Sequence, residues 1–306
     1  MQAVRLSAIV PATNRPPTLE RCLAAIRAAR EAPDELIVVT EAPGPGPAAA
    51  RNEGARRATG DVVVFVDADV VPHADAFERI RAAFDAEPDL VGLFGSYDDE
   101  PAAPGAVSRF RNLLHHVTHQ EAAGPAETFW AGLGAVRRDA FLSAGGFDAA
   151  RYPRASIEDI ELGMRLTSGG ALVRLDPRMQ GTHLKRWTLV GMVRTDLLLR
   201  GAPWVALLLR GGRRSRTLNL GWSYRLSALA SLVCLAALRR RKAALAGGAV
   251  AALIVLNRRL YALLFRRFGA AQAAVGVPLH VLHHATAVLS VPLGLFSHLR
   301  ERRRGA

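Results

Sequence analysis

Two short acidic pairs carry the chemistry open to this sequence. Asp67 and Asp69 flank one alanine at the end of the apolar run Val62–Val66. Residues i and i+2 of a strand point the same way. Carboxylates so close repel unless a cation lies between them, and oxygen donors suit Mg²⁺ or Mn²⁺. A strand-end turn with two solvated aspartates fits the tripeptide equally well. The second pair is Glu158-Asp159, ahead of a helix pattern that runs through Leu166. Acids suit a helix N-terminus. A neighbouring like charge also raises a carboxylate's pKa toward the range useful for proton transfer.

The elements that must position these acids read as alternating strands and helices. Leu6–Val10 is a buried strand and Pro16-Pro17 opens a helix marked by Leu19, Cys22, Leu23 and Ile26. Leu36–Val39 is a second strand. A Pro/Gly loop over 42–47 and an Ala-rich helix over 48–58 lead to the third strand at Val62–Val66. Phe77, Ile80 and Phe84 mark a further helix, and strands are expected at 90–94 and 171–175. Continuous apolar strands alternating with helices predict a doubly wound, mostly parallel sheet flanked by helices. Ligands in such sheets bind beyond the carboxyl ends of the strands, where Asp67 and Asp69 fall.

Several segments in order resemble family 2 glycosyltransferases. They are Pro11-Ala12-Thr13-Asn14-Arg15, Ala50-Arg51-Asn52-Glu53-Gly54, Gly60-Asp61 and Asp67-Ala68-Asp69 in the nucleotide-sugar half. In the acceptor half they are Trp130-Ala131-Gly132, Arg137-Arg138, Gly145-Gly146-Phe147-Asp148 and Ile157–Leu162. The resemblance covers roughly residues 5 to 187. It implies a GT-A fold and inverting transfer from a nucleoside-diphosphate sugar. By it, Asp69 holds the metal on the diphosphate, Asp67 contacts the ribose or donor sugar, and Asp159, supported by Glu158, is the general base. Pro11, Thr13 and Arg51 join the donor side, although Arg51 could equally pair with Asp61 or Glu53. Many family members carry an Asp after the second strand; here Val39-Thr40-Glu41 stands there, with Glu41 or Thr40 as substitute. His183 is the implied third metal ligand, with Lys185 and Arg186 on phosphate oxygens and Trp187 against the acceptor. A basic, aromatic turn facing a membrane fits the same four residues. Trp130 and Gly132 shape the acceptor pocket, or Trp130 is core.

The charge divides sharply along the chain. Residues 210–306 hold 17 of the 40 Lys and Arg but one of the 27 Asp and Glu, a net of +16 against −3 for residues 1–209. Basic residues interleaved with long apolar runs point to an anionic membrane rather than to nucleic acid. Two cysteines exclude a disulfide scaffold and a zinc ribbon, and no signal peptide is visible at the N-terminus. The expected organisation is a nucleotide-sugar domain over 1–187, an amphipathic interfacial helix and basic linker over 188–216, and two or three apolar, basic membrane helices over 217–306.

In the interfacial helix, Leu189, Met192, Val193 and Leu197 form the apolar face, with Arg194, Asp196 and Arg200 off it. The apolar stretches are 218–238, 243–256 and 270–296. A bilayer span needs about 20 residues, so the first and third are long enough. Positive-inside places Arg213, Arg214 and Arg216 inside with a cytoplasmic catalytic domain, but a simple hairpin would put Arg239–Lys242 outside. His115, His116 and His119, and again His280, His283 and His284, share helix faces; interfacial placement, with Arg109 and Arg111 toward headgroups, is the expectation for both. The leading reading is a transferase at the inner or plasma membrane with a lipid or surface-glycan acceptor. A processive polysaccharide synthase and a non-catalytic membrane scaffold are the alternatives.

Overall fold

The computed structural model describes residues 3–211 and 221–304. The chain divides into two compact units. The first holds residues up to 102 together with 119–185; the second holds 103–118 and everything from 186 onward. The segment 103–118, which the sequence reading kept inside the first domain, thus groups with the second unit.

The first unit is built on one mixed sheet. In chain order its elements begin β1 (Leu6–Pro11), α1 (Leu19–Arg27), β2 (Glu35–Val39), α2 (Gly46–Arg57), β3 (Val62–Val66), β4 (Val70–Pro72), α3 (Ala76–Ala86) and β5 (Leu90–Tyr97). Helix α4 (Ala106–Glu121) follows, its first three turns belonging to the second unit. Then come β6 (Gly124–Pro125), β7 (Leu133–Arg137), α5 (Arg138–Ser143), α6 (Glu158–Ser168) and β8 (Leu172–His183). The sheet order is β2-β1-β3-β7-β5-β8-β4, with β6 on β8. Strands β1, β2, β3, β5 and β8 share one direction, and β4, β6 and β7 oppose them.

All five residues of β3 are buried, as a strand covered on both faces requires. One core side is packed by Leu6, Val64, Phe77 and Ile80, the other by Ile9, Phe65, Phe141, Phe147 and Leu162. Strand β8 runs to His183 rather than stopping at Leu175. Its far end gains two partners: β4, with Val70 opposite His183, and the end of β5, with Tyr97 opposite Gly181. Residue pattern alone is blind to that pairing, because Asp176, Pro177 and Arg178 break the apolar run.

The second unit is helical among its described residues. It contains α7 (Leu189–Arg194), a π-helical segment (Thr195–Gly201), α8 (Ala202–Gly211), α9 (Trp222–Arg239), α10 (Ala243–Leu256) and α11 (Arg258–Arg304). Phe110, Leu113, Met192, Leu260, Leu264 and Leu279 form one cluster, and Ala230, Cys234, Ala249, Leu253 and Val281 another. Helix α11 is broken at Gly269, whose φ of 80° stops a regular helix, and carries Pro278 and Pro292. At Gly294 an added Cβ would lie 2.5 Å from Val205 and 2.6 Å from the Ala202 carbonyl, so only glycine allows α11 to meet α8 so closely.

Four expectations need correcting here. Asp196 does not lie on an exposed face: it is buried and paired with Arg111 at 2.9 Å. Arg111 does not reach toward headgroups but is buried with it. His280, His283 and His284 are buried rather than interfacial; His283 Nδ1 lies 2.8 Å from the Asp196 carboxylate and His280 3.2 Å from the Tyr261 hydroxyl. The reason is common to all of them: buried polar groups need partners, and these residues supply one another's. Of the three apolar stretches, one described helix, Arg258–Arg303, is long and apolar enough to cross a bilayer, with half of its apolar window buried. Helix α10 has 14 residues. Arg213, Arg214, Arg216 and the start of the first stretch lie outside the described residues.

Candidate active site

The site gathers at the carboxyl edge of the sheet. Strand β3 ends at Val66, and Asp67 and Asp69 follow in a tight turn closed by the Val70 N–H on the Asp67 carbonyl at 2.9 Å. The two acids do not behave alike. Asp67 accepts from Arg51 at 2.5 Å. Asp69 faces His183 instead, with Nε2 at 3.7 Å from its carboxylate. The antiparallel β4–β8 pairing and the Leu184 N–H bond to the Asp69 carbonyl at 2.8 Å hold these two side by side.

Arg51 sits on α2, 4% exposed, and spans two acids. Its second branch donates to Glu158 at 3.0 Å. The alternatives of Asp61 and Glu53 are excluded, since Asp61 accepts the Arg5 N–H and Glu53 pairs with Arg56. Glu158 is buried and also accepts the Ser156 N–H at 2.8 Å. Its carboxylate is therefore committed to holding Arg51 and the start of α6, which argues against direct contact with a substrate. Asp159, half-buried beside it, accepts the Ala131 N–H at 3.1 Å.

These bonds close a ring. Asp67 is bound by Arg51, Arg51 by Glu158, Asp159 follows Glu158 in the chain and binds Ala131, and the Gly132 carbonyl accepts the Asp67 N–H at 3.0 Å. Four segments far apart in sequence are thereby held in one register. Gly132 leaves room for a neighbouring ring: a Cβ there would lie 2.3 Å from the Trp130 side chain. Trp130 is half-buried and packs edge-on to Tyr97, with ring centroids 4.8 Å apart.

The electrostatics separate the two aspartates further. Burial pushes the Asp67 carboxyl above the usual range and Asp69 adds to it, against the pull of Arg51. Burial also raises Asp69, but His183 and Lys185 outweigh it and hold that carboxyl below the usual range. Burial pushes the Cys22 thiol, whose Sγ lies 3.6 Å from the Asp67 carbonyl, up to about 12, so it is chemically inert.

Do these residues fit a divalent cation? Donors each about 2.1 Å from one ion lie roughly 3 to 4 Å apart, and the Asp69–His183 separation is 3.7 Å. Among the described residues no three His, Cys, Asp or Glu side chains form a cage by themselves. Mg²⁺-type ions are commonly held by one or two protein groups together with substrate phosphates. The donor set fits through Asp69 and His183, while Asp67 is already engaged by Arg51.

The other expected residues fall as follows. Pro11 ends β1 and pairs with Val39 of β2, so Thr13 and Glu41, both exposed, leave the sheet at the same edge. Lys185 is exposed in the first unit and acts on Asp69. Arg186 and Trp187 belong to the second unit. The Trp187 N–H binds Ser108 Oγ at 2.9 Å and the Arg111 guanidinium covers its ring at 5.1 Å. His119, expected at an interface, is instead buried: its Nδ1 is 2.8 Å from the Gly95 carbonyl, and its ring packs edge-on to Trp130. Sequence reasoning missed Tyr97, whose only signal was an aromatic residue closing an apolar strand.

Comparison with known proteins bears on the family resemblance and on the fold. Residues 40–143 match the family model described as glycosyl transferase family 2. The pre-mycofactocin glycosyltransferases of two Mycobacterium tuberculosis strains, CDC 1551 and H37Rv, are each 29% identical over 138 residues, 43% of this chain. The match spans only 28% of those relatives' own length. A mannosyltransferase from Pyrobaculum calidifontis, solved in complex with GDP-Man and Mn²⁺, shares the fold with a TM-score of 0.55 at 18% identity, over 97% of this chain and 88% of that one. Residues 40–143 are thus similar to family 2 glycosyltransferases, and the fold is shared with the Pyrobaculum mannosyltransferase.

Proposed function

We propose that the chain is a membrane-attached, inverting glycosyltransferase that moves a sugar from a nucleoside-diphosphate sugar to a lipid or surface-glycan acceptor. The observation that carries this reading is the closed ring through Asp67, Arg51, Glu158, Asp159, Ala131 and Gly132. It holds an acid beside the donor edge and an acid beside the acceptor segment in one rigid frame, as displacement at an anomeric carbon demands. Asp159 takes the proton of the attacking hydroxyl. Arg51 and Glu158 position it and touch no substrate. Asp69 and His183 hold Mg²⁺ or Mn²⁺; Lys185 binds a phosphate oxygen; Thr13 and Glu41 face the nucleoside. The bound cation supplies neutralisation of the charge that develops on the departing diphosphate. The Pyrobaculum neighbour's GDP-Man and Mn²⁺ agree with that donor class and cation.

The second unit supports attachment to an anionic membrane. Along α9, Trp222, Leu226, Leu229, Leu232, Leu235 and Leu238 are all exposed, and so are Leu289, Val291, Leu293, Leu295, Phe296 and Leu299 on α11. Arg239–Lys242 and Arg300–Arg303 follow these rows. An apolar surface of this extent marks a membrane or partner site, and adjoining cations favour anionic headgroups. Cytoplasmic nucleotide sugars place the first unit on that side.

The test is a screen of nucleotide sugars with membrane lipid extract, following release of nucleoside diphosphate by the full chain. Release should require Mg²⁺ or Mn²⁺. Full turnover by Asp159→Asn overturns the assignment of the base. Complete loss of the protein from carbonate-washed membranes overturns integral attachment.

A further inference from the structure

We infer that Tyr97 is a positioning residue for the metal-binding imidazole of His183. The inference rests on the proposed role of Asp69 and His183 as ligands and adds what sets the direction of the imidazole lone pair.

An imidazole ligates in the plane of its ring, so its tilt decides whether the nitrogen lone pair meets the ion. The tilt of His183 is set by stacking. Tyr97 lies flat on it, with centroids 4.1 Å apart and planes 8° from parallel. Both residues are buried, at 8% and 5% exposure. Tyr97 is itself held on another side by the Trp130 ring, at 4.8 Å and 87°. Trp130 in turn meets His119 edge-on at 5.4 Å, and His119 is anchored to the Gly95 carbonyl. The backbone agrees with the rings. Tyr97 ends β5 opposite Gly181, two residues before His183 on the parallel strand β8. Asp69 approaches from the other edge of β8, through β4. The imidazole thus has a fixed wall on its face and the carboxylate 3.7 Å from its Nε2.

What Tyr97 supplies is a flat, rigid surface. Phenylalanine keeps that surface; methionine fills similar space without a plane. Outer partners of metal ligands typically change metal affinity by about 10- to 100-fold when lost.

The experiment uses the full chain in detergent with nucleoside diphosphate, titrated with Mn²⁺ by calorimetry and by electron paramagnetic resonance. Wild type should show ¹⁴N modulation from a bound imidazole. Tyr97→Phe should keep that signal and a Kd within about twofold of wild type, since the stacked plane is retained. Tyr97→Met should raise the Mn²⁺ Kd by about 10-fold and weaken the modulation, at an unchanged unfolding midpoint. His183→Ala should abolish the modulation. If His183→Ala binds Mn²⁺ as wild type does, the ligand reading itself falls. If His183→Ala loses affinity and Tyr97→Met does not, the inference about Tyr97 alone is overturned. Equal loss in Tyr97→Phe and Tyr97→Met also overturns it, because the hydroxyl rather than the stacked plane would then matter.

Discussion

Two buried arginines make the same kind of contact in two different units, and the difference between them separates a site from a brace. Arg51 in the first unit pairs with Asp67 and Glu158; Arg111 in the second pairs with Asp196, which also meets His283. Both link residues far apart in sequence, 107 positions for Arg51–Glu158 and 85 for Arg111–Asp196. The Arg51 cluster opens outward: the Asp67 side chain is 30% exposed and leads to half-buried Asp69 and Asp159. The Arg111 cluster is closed, with its three side chains between 5% and 11% exposed. One cluster holds carboxylates where a ligand can reach them. The other uses its charges on each other and ties α4, the π-helical segment and α11 together.

Breaking each cluster should tell them apart. The largest effect is expected at the open end of the first. Asp159→Asn should cut turnover by about 10²- to 10⁴-fold, as loss of a general base does, with the thermal midpoint unmoved; steady-state release of nucleoside diphosphate measures it. Arg51→Met leaves Glu158 buried without its partner. Denaturant unfolding should show a loss of about 3–5 kcal/mol, together with loss of turnover.

Arg111→Met should cost a similar amount of stability by the same argument while leaving the Mn²⁺ affinity of the first unit unchanged. A matching fall in Mn²⁺ affinity would erase the contrast between the clusters. The pH dependence of that pair has a definite sign. Burial raises the Asp196 carboxyl, but Arg111 and His283 outweigh it and hold it below its usual range. Its stabilisation is therefore complete at neutral pH and above the unfolded value near 3.9, and is lost as the pH falls further through the folded value. The stability gap between wild type and Arg111→Met should shrink on acidification in that window. The smallest effect is expected at Gly132→Ala, where the added methyl must displace the Trp130 ring. Overpacking of this kind costs about 1–3 kcal/mol, and a raised acceptor KM would confirm that Trp130 belongs to the acceptor side.

Much of the first unit was legible because its signals are local. The apolar runs of β1, β2 and β3, the helix spacing of Leu19, Cys22, Leu23 and Ile26, and the Asp67–Asp69 turn all fall where residue pattern puts them. The second half of β8 was not legible. Asp176 to Arg178 interrupt its pattern, and its strand character comes from partners elsewhere in the chain. Arg51 was visible as a candidate but not its partners, since Glu53 is near in sequence and Glu158 is not. In the second unit the helices were legible from composition. The burial of Asp196 and the histidines was not, because a polar residue in an apolar helix reads as a surface position until its counter-charge is located.

The sequence by itself determined the kinds of chemistry present. Those are an acidic pair at a strand end, a second at a helix start, and a chain split into a −3 piece and a +16 piece. These are properties of composition and short-range order, and no fold can remove them. Only the tertiary structure decided which partner each acid meets. Asp67 turns to Arg51, Asp69 to His183, and Glu158 is locked away while Asp159 stays half-buried beside it. The physical reason is that a charge in a protein interior takes its role from what lies within a few ångströms of it. Those neighbours are set by strand register and helix packing, not by distance along the chain.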